Sequence, residues 1–170
     1  IINAHNVKVI NSIIRDCFGD GVYISNDDKG SIEFLGITDI KNCRRQGVSI
    51  IQGNGIYFEY LKCQDIIGTA PMAAIDLEPN YPEELIENVV IDRLESINCY
   101  YDLLVVSKTK VCVKVGTIIS QDVRYSNLRV TGIGADVDVK DIYSDTTISG
   151  KSVFARIDNP QNSKIHIGNA

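Results

Sequence analysis

Asp76 and Glu78 are the side chains of this sequence best suited to acid–base chemistry. They lie in Ala73-Ala74-Ile75-Asp76-Leu77-Glu78-Pro79-Asn80, where apolar and acidic residues alternate. A period of two reads as a strand with one apolar and one acidic face. Pro79 ends it, because proline cannot donate to a ladder. Carboxyls two residues apart on one face are separated by about 7 Å. That spacing suits work on a glycosidic bond and favours inversion, because retaining hydrolases hold their carboxyls closer.

Arg44 and Arg45 lie in the turn that enters the neighbouring repeat. Arginine can grip a carboxylate-bearing sugar with two parallel hydrogen bonds. In an eliminating enzyme Arg44 or Arg45 would instead neutralise or deprotonate a uronate while the acids held calcium. No Ser-His-Asp arrangement, P-loop or GxGxxG motif is visible. His5 and His166 read as surface residues. The pair Asp27-Asp28 is rich in oxygen but lacks EF-hand spacing, so it reads as a turn. Five cysteines, with no CxxC or CxxxC pair, argue against zinc. Cys17, Cys43 and Cys99 follow Asp16, Asn42 and Asn98 just before apolar segments. They are expected to be reduced core residues stacked on one another, as in a protein that folds in a reducing compartment. No cofactor or metal is expected.

The elements that position these residues repeat along the chain. One apolar series comprises Val22, Val48, Ile75, Leu104, Leu128 and Val153, at steps of 26, 27, 29, 24 and 25 residues. A second, out of phase, runs through Val7-Lys8-Val9, Ile32-Glu33-Phe34, Ile56-Tyr57-Phe58, Val89-Val90-Ile91, Val113-Lys114-Val115, Val137-Asp138-Val139 and Ile165-His166-Ile167. A weaker third lies between them, at Ile14, Ile40, Leu61, Leu94, Ile118 and Ile142 among others. Turn residues interrupt every window before a helical stripe can build, as at Gly19-Asp20-Gly21 and Gly53-Asn54-Gly55. The LxxLxLxxN pattern of leucine-rich repeats is absent, and so is a six-residue period. What remains is an all-β, right-handed parallel β-helix of about six coils, with three short strands per coil. It forms a single domain over residues 1–170, and its uncapped ends suggest a piece of a longer β-helix.

Composition agrees. Hydrophobic residues make up 44% of the chain, rich in Val and Ile, with 13 Gly and 4 Pro. A formal net charge of −5 with no basic run argues against duplex nucleic acid. No apolar run reaches the roughly 20 residues of a membrane span, so no membrane insertion is expected.

The segments Asn42-Cys43-Arg44-Arg45-Gln46-Gly47-Val48-Ser49-Ile50 and Ala73 to Asn80 resemble those of right-handed β-helix proteins of the pectate-lyase-like superfamily, bacteriophage tail spikes in particular. The resemblance covers most of the chain as architecture and these two segments as motif. It implies a homotrimeric virion appendage, extracellular at its destination, that binds and often cleaves a bacterial surface polysaccharide.

In register, the outward residues are Tyr23, Ser49, Asp76, Val105, Arg129 and Phe154 at one position, and Ser25, Ile51, Glu78, Ser107, Thr131 and Arg156 at the next. This face is expected to be a shallow sugar groove with Asp76 and Glu78 as catalytic acid and base. Tyr23, Arg44, Arg45, Gln46, Asn80 and Arg129 are its expected glycan contacts. The longest repeat interval places an inserted loop, Asn80 to Leu85, directly after the two acids. Insertions in solenoids often form binding loops. A lyase, or a non-catalytic receptor-binding segment, are the alternatives.

Overall fold

The alternation turns into ladders between successive coils. A computed structural model describes residues 1–27, 30–145 and 153–169. Asp28, half of the Asp27-Asp28 pair, and Ser152 lie outside the described residues, as does the side chain of Val153. One set of strands comprises β1 (Val7–Arg15), β3 (Ile32–Lys41), the second half of β4 (Val48–Gln64), β6 (Ile86–Ile97), β8 (Val111–Gln121), β10 (Ala135–Asp145) and β12 (Lys164–Asn169). We call this sheet B. Sheet A comprises β2 (Val22–Ser25), the first half of β4, β5 (Ala73–Leu77), β7 (Tyr101–Ser107), β9 (Ser126–Ile133) and β11 (Val153–Gln161). Every pairing is parallel and joins strands one coil apart, so the chain is a parallel β-helix of about six coils. No described residue is helical, and no helix is long and apolar enough to cross a membrane.

Sheet B follows the sequence register closely. Val7, Ile32, Ile56, Val89, Val113, Val137 and Ile165 form one continuous column of paired positions. Two residues on, Phe34 and Phe58 stack with ring centroids 4.4 Å apart inside the core. The weaker third series is not a separate strand. It continues the same long strand after a register shift, near Asn11 (φ 47°) and Gly36 (φ 67°). A local bulge bends the strand without ending it, so each coil has a short and a long bent strand where three short ones were expected.

Sheet A departs from the expected register in its later coils. The column runs Val22, Val48, Ile75, Leu103, Leu128, Ala155. Leu103 takes the place given to Leu104, and Ala155 that given to Val153. Leu103-Leu104-Val105-Val106 is apolar throughout, so alternation gives no phase there. Leu104 faces outward, where Ala73 and Tyr101 make an apolar setting for it. Phe154 packs against the core and Val105 is buried within it, both against expectation. The outer row is therefore Tyr23, Ser49, Asp76, Leu104, Arg129, Arg156.

The turn from sheet B to sheet A has one recurring device. Asp16, Asn42, Asp65, Asn98 and Asp122 all hold a left-handed backbone, with φ of 55–57°. Asn and Asp tolerate this conformation better than other side-chain-bearing residues. Their side chains link between coils: Asn42 Nδ2 donates to Asp16 Oδ1 at 2.5 Å and Asn98 Nδ2 to Asp65 Oδ1 at 2.7 Å. The residues that follow, Cys43, Ile66, Cys99 and Val123, are buried. All five cysteines are free thiols. Cys17 is half-buried, against expectation, with its carbonyl accepting from the Arg44 N–H of the next coil.

Candidate functional site

The acid pair sits in the middle of sheet A, where β4 and β5 run side by side. Gly47 makes their close approach possible. A Cβ there would lie 2.4 Å from the Ala74 carbonyl oxygen and 2.6 Å from Cys63 Sγ. The Gly47 N–H donates to the Ala73 carbonyl at 2.9 Å. Gln46 adds a side-chain rung beside this one. Its Oε1 accepts from the Ala73 N–H at 2.9 Å, and its Nε2 donates to Asp76 Oδ2 at 2.5 Å.

Asp76 is on the outer face, as alternation requires, yet it is 0% exposed. Ser49, Ile51 and Leu104 around it are buried as well. The expected solvent-facing pair in an open groove is thus corrected. Alternation fixes which face a side chain takes and says nothing of what lies over that face. Gln46, expected to touch a glycan, is fully buried and holds Asp76 in place. Glu78 is half-buried. It continues the ladder, its N–H donating to the Ile50 carbonyl at 3.0 Å.

The surroundings keep Asp76 protonated. Burial pushes its carboxyl up to about 8, and the negative charges of Glu78 and Asp20 act in the same direction. Arg45 opposes them. Asp76 Oδ1 is buried with no hydrogen-bond partner. Asp20, read in sequence only as part of a turn, belongs to this cluster. Burial raises its pKa, and Arg45 and the Gln46 backbone N–H hold it down. Arg45 Nη1 lies 3.4 Å from Asp20 Oδ2. The site is therefore three carboxyls and one guanidinium spread over three consecutive coils.

The other expected contacts are dispersed. Arg44 is exposed and lies over the Phe18 ring, 4.8 Å from its centroid. Tyr23 is exposed in the outer row beside Ser49. Asn80 is exposed in the inserted loop, where Glu84 Oε2 accepts from the N–H groups of Asn80 and Tyr81 at 2.5 and 3.0 Å. Arg129 faces Asp158 at 3.5 Å and donates to the Tyr101 hydroxyl at 2.8 Å, two strands from Asp76. Among the described residues, no group of three or more His, Cys, Asp or Glu is arranged to hold a metal ion.

Sequence reasoning missed Asp20, Tyr100, Tyr101 and Tyr125. Asp20 precedes the Gly21-Val22 start of β2, and Gly21 donates to the Gln46 carbonyl at 3.0 Å. Aligning that step with Gln46-Gly47-Val48 one coil on would have put Asp20 beside the site. The second carboxylate missed is Asp102, inside the solenoid. It accepts from Ser96 Oγ and, at 2.7 Å, from Asn127 Nδ2, and burial pushes its pKa up to about 6.

Comparisons of the chain with family models, curated proteins and solved structures gave no match. What is established is the class: a parallel β-helix with a buried carboxyl, Asp76, flanked by two half-buried ones on the outer face of one sheet.

Proposed function

We propose that the outer face of sheet A binds a bacterial surface polysaccharide and hydrolyses it with Asp76 and Glu78. The setting is the one that the resemblance to tail spikes implies, a segment of a homotrimeric virion appendage of pectate-lyase-like type. The observation that carries the proposal is the unequal environment of two acids on one strand face. Asp76 keeps its proton up to about pH 8, and Glu78 next to it is reachable by solvent. Neighbouring carboxyls whose environments differ in this way are how an acid and a base coexist at one pH.

In this mechanism Asp76 protonates the leaving glycosidic oxygen. Glu78 takes a proton from the water that adds to the anomeric carbon. The proton that Asp76 gives sits on Oδ1, the oxygen with no hydrogen-bond partner, because Oδ2 accepts from Gln46 Nε2. Asp20 and Arg45 set the local field. Loss of a general acid or base costs at least about a hundredfold in rate.

The complete covering of Asp76 favours a second reading, a receptor-binding segment without catalysis. Incubating the intact protein with a panel of capsular and cell-wall glycans separates the readings. New reducing ends mean hydrolysis. Absorbance of an unsaturated uronate means elimination. Binding without either product supports the receptor-binding segment and overturns the hydrolase.

A further inference from the structure

We infer that the same face carries, beyond the acid cluster, a subsite for an acidic sugar, built from Tyr100, Tyr101, Tyr125, Arg129 and Arg156. This rests on the polysaccharide reading and names the sugar class. Tyr100 and Tyr125 stack with centroids 5.2 Å apart and planes 9° from parallel. Tyr101 stands edge-on to both, at 5.0 and 5.3 Å. With Ala73, Leu104 and Val106 they form an apolar cluster separate from the solenoid core. Aromatic rings with hydroxyls at their rim suit a ligand that is apolar on one face and polar at its edge, as a pyranose ring is.

The charge on this patch selects among sugars. Arg156 lies over the Tyr125 ring at 5.8 Å and donates to its hydroxyl. Its Nε donates to Asp158 Oδ2 at 2.9 Å, the oxygen that Arg129 Nη2 approaches at 3.5 Å. Two guanidiniums therefore share one carboxylate. Arg129 Nε is buried and has no hydrogen-bond partner. A buried donor left unpaired is unfavourable, and a guanidinium fork matches a carboxylate in shape and charge. The patch thus has an excess positive charge, two partly exposed guanidiniums against the one Asp158 carboxylate, which a sugar carboxylate balances.

The opposite end of the face repels the same group. Asp76 pairs with Leu104, Leu104 with Arg129 and Arg129 with Arg156. Arg129 is two strands from Asp76, roughly 10 Å. Asp76 is neutral there, and the carboxyls of Asp20 and Glu78 against a single Arg45 disfavour a further carboxylate at the acid end. Attraction at one end and repulsion at the other fix the register of a glycan lying across the strands.

The chain has no tryptophan and eight tyrosines, so its intrinsic fluorescence reports tyrosine. Titration of the intact protein with galacturonate-, glucuronate- and sialate-terminated oligosaccharides, each against its neutral counterpart, measures the preference. At least one acidic oligosaccharide is expected to bind about tenfold tighter than its counterpart, the scale of one charge-assisted contact. R129Q and R156Q should each remove that preference, with circular dichroism unchanged. Equal binding of acidic and neutral forms, or a preference that survives both arginine variants, overturns the subsite. Neutral oligosaccharides that bind equally well, and are lost in Tyr125→Ala, would overturn it while leaving the polysaccharide reading intact. Binding of none of the set also overturns it, and the glycan panel then decides the polysaccharide reading alone.

Discussion

Replacing Asp76 by Asn should change how stability depends on pH, in a direction fixed by the buried proton. The Asp76 carboxyl titrates near 3.8 in the unfolded chain and at about 8 when folded. Below pH 4 both states are protonated, and the residue contributes no pH dependence. From pH 4 to 8 the folded state holds a proton that the unfolded state has released, so stability falls as pH rises. At about 1.4 kcal/mol per pH unit the interval amounts to a penalty on the order of 5 kcal/mol above pH 8. That is comparable to the whole stability of many domains, roughly 5–15 kcal/mol. Asn has the shape of the protonated acid. Its carbonyl oxygen can accept from Gln46 Nε2, and its amide can face Glu78. Urea midpoints at pH 4, 6, 8 and 9 should therefore coincide for the two proteins at pH 4 and diverge upward, with D76N the more stable. Asp102, also raised by burial, is common to both proteins and largely cancels in the difference. Parallel curves across the range would show that Asp76 ionises normally in the folded protein, and the argument from burial would fail.

Other expectations follow from the same packing. Gly47→Ala should destabilise by about 1–3 kcal/mol, the usual scale of overpacking, because its Cβ meets the Ala74 carbonyl oxygen as well as Cys63 Sγ. Urea denaturation checks this. Thiol labelling of the native protein should modify Cys17 and Cys112 first, while Cys63 and Cys99, both fully buried and with thiols held well above their usual pKa, wait for unfolding. Simultaneous labelling of all five would contradict the packing of the turn column.

How much of this the sequence reveals differs between the two sheets. In most coils of sheet B apolar and polar residues alternate, as in Val113-Lys114-Val115 over Val137-Asp138-Val139, so those coils specify their own register, and Val89-Val90-Ile91 takes its phase from them. In sheet A the run Leu103 to Val106 is apolar on both faces, because Leu104 meets an outer aromatic cluster. The phase is lost there, and the errors at Leu104 and Val105 follow. The division of the long strands was misjudged because a bulge at Asn11 or Gly36 has the turn-like composition of a strand end.

At the site, spacing placed Asp76 and Glu78 on one face, and adjacency drew in Arg45 and Gln46. Burial was not legible, since it depends on side chains brought in from other coils. Asp20 and Tyr125 lie far from Asp76 along the chain, and only the stacking of coils brings their coils onto this face.

The most direct test of the central claim is cleavage of a glycan that the panel shows to be bound, followed by reducing-end release for the wild type, Asp76→Asn and Glu78→Gln. Both variants should bind the glycan about as the wild type does and cleave it at least a hundredfold more slowly. Wild-type cleavage should also decline as pH rises through about 8, where Asp76 loses its proton. Cleavage by both variants at the wild-type rate would contradict the assignment of these two acids as the catalytic pair.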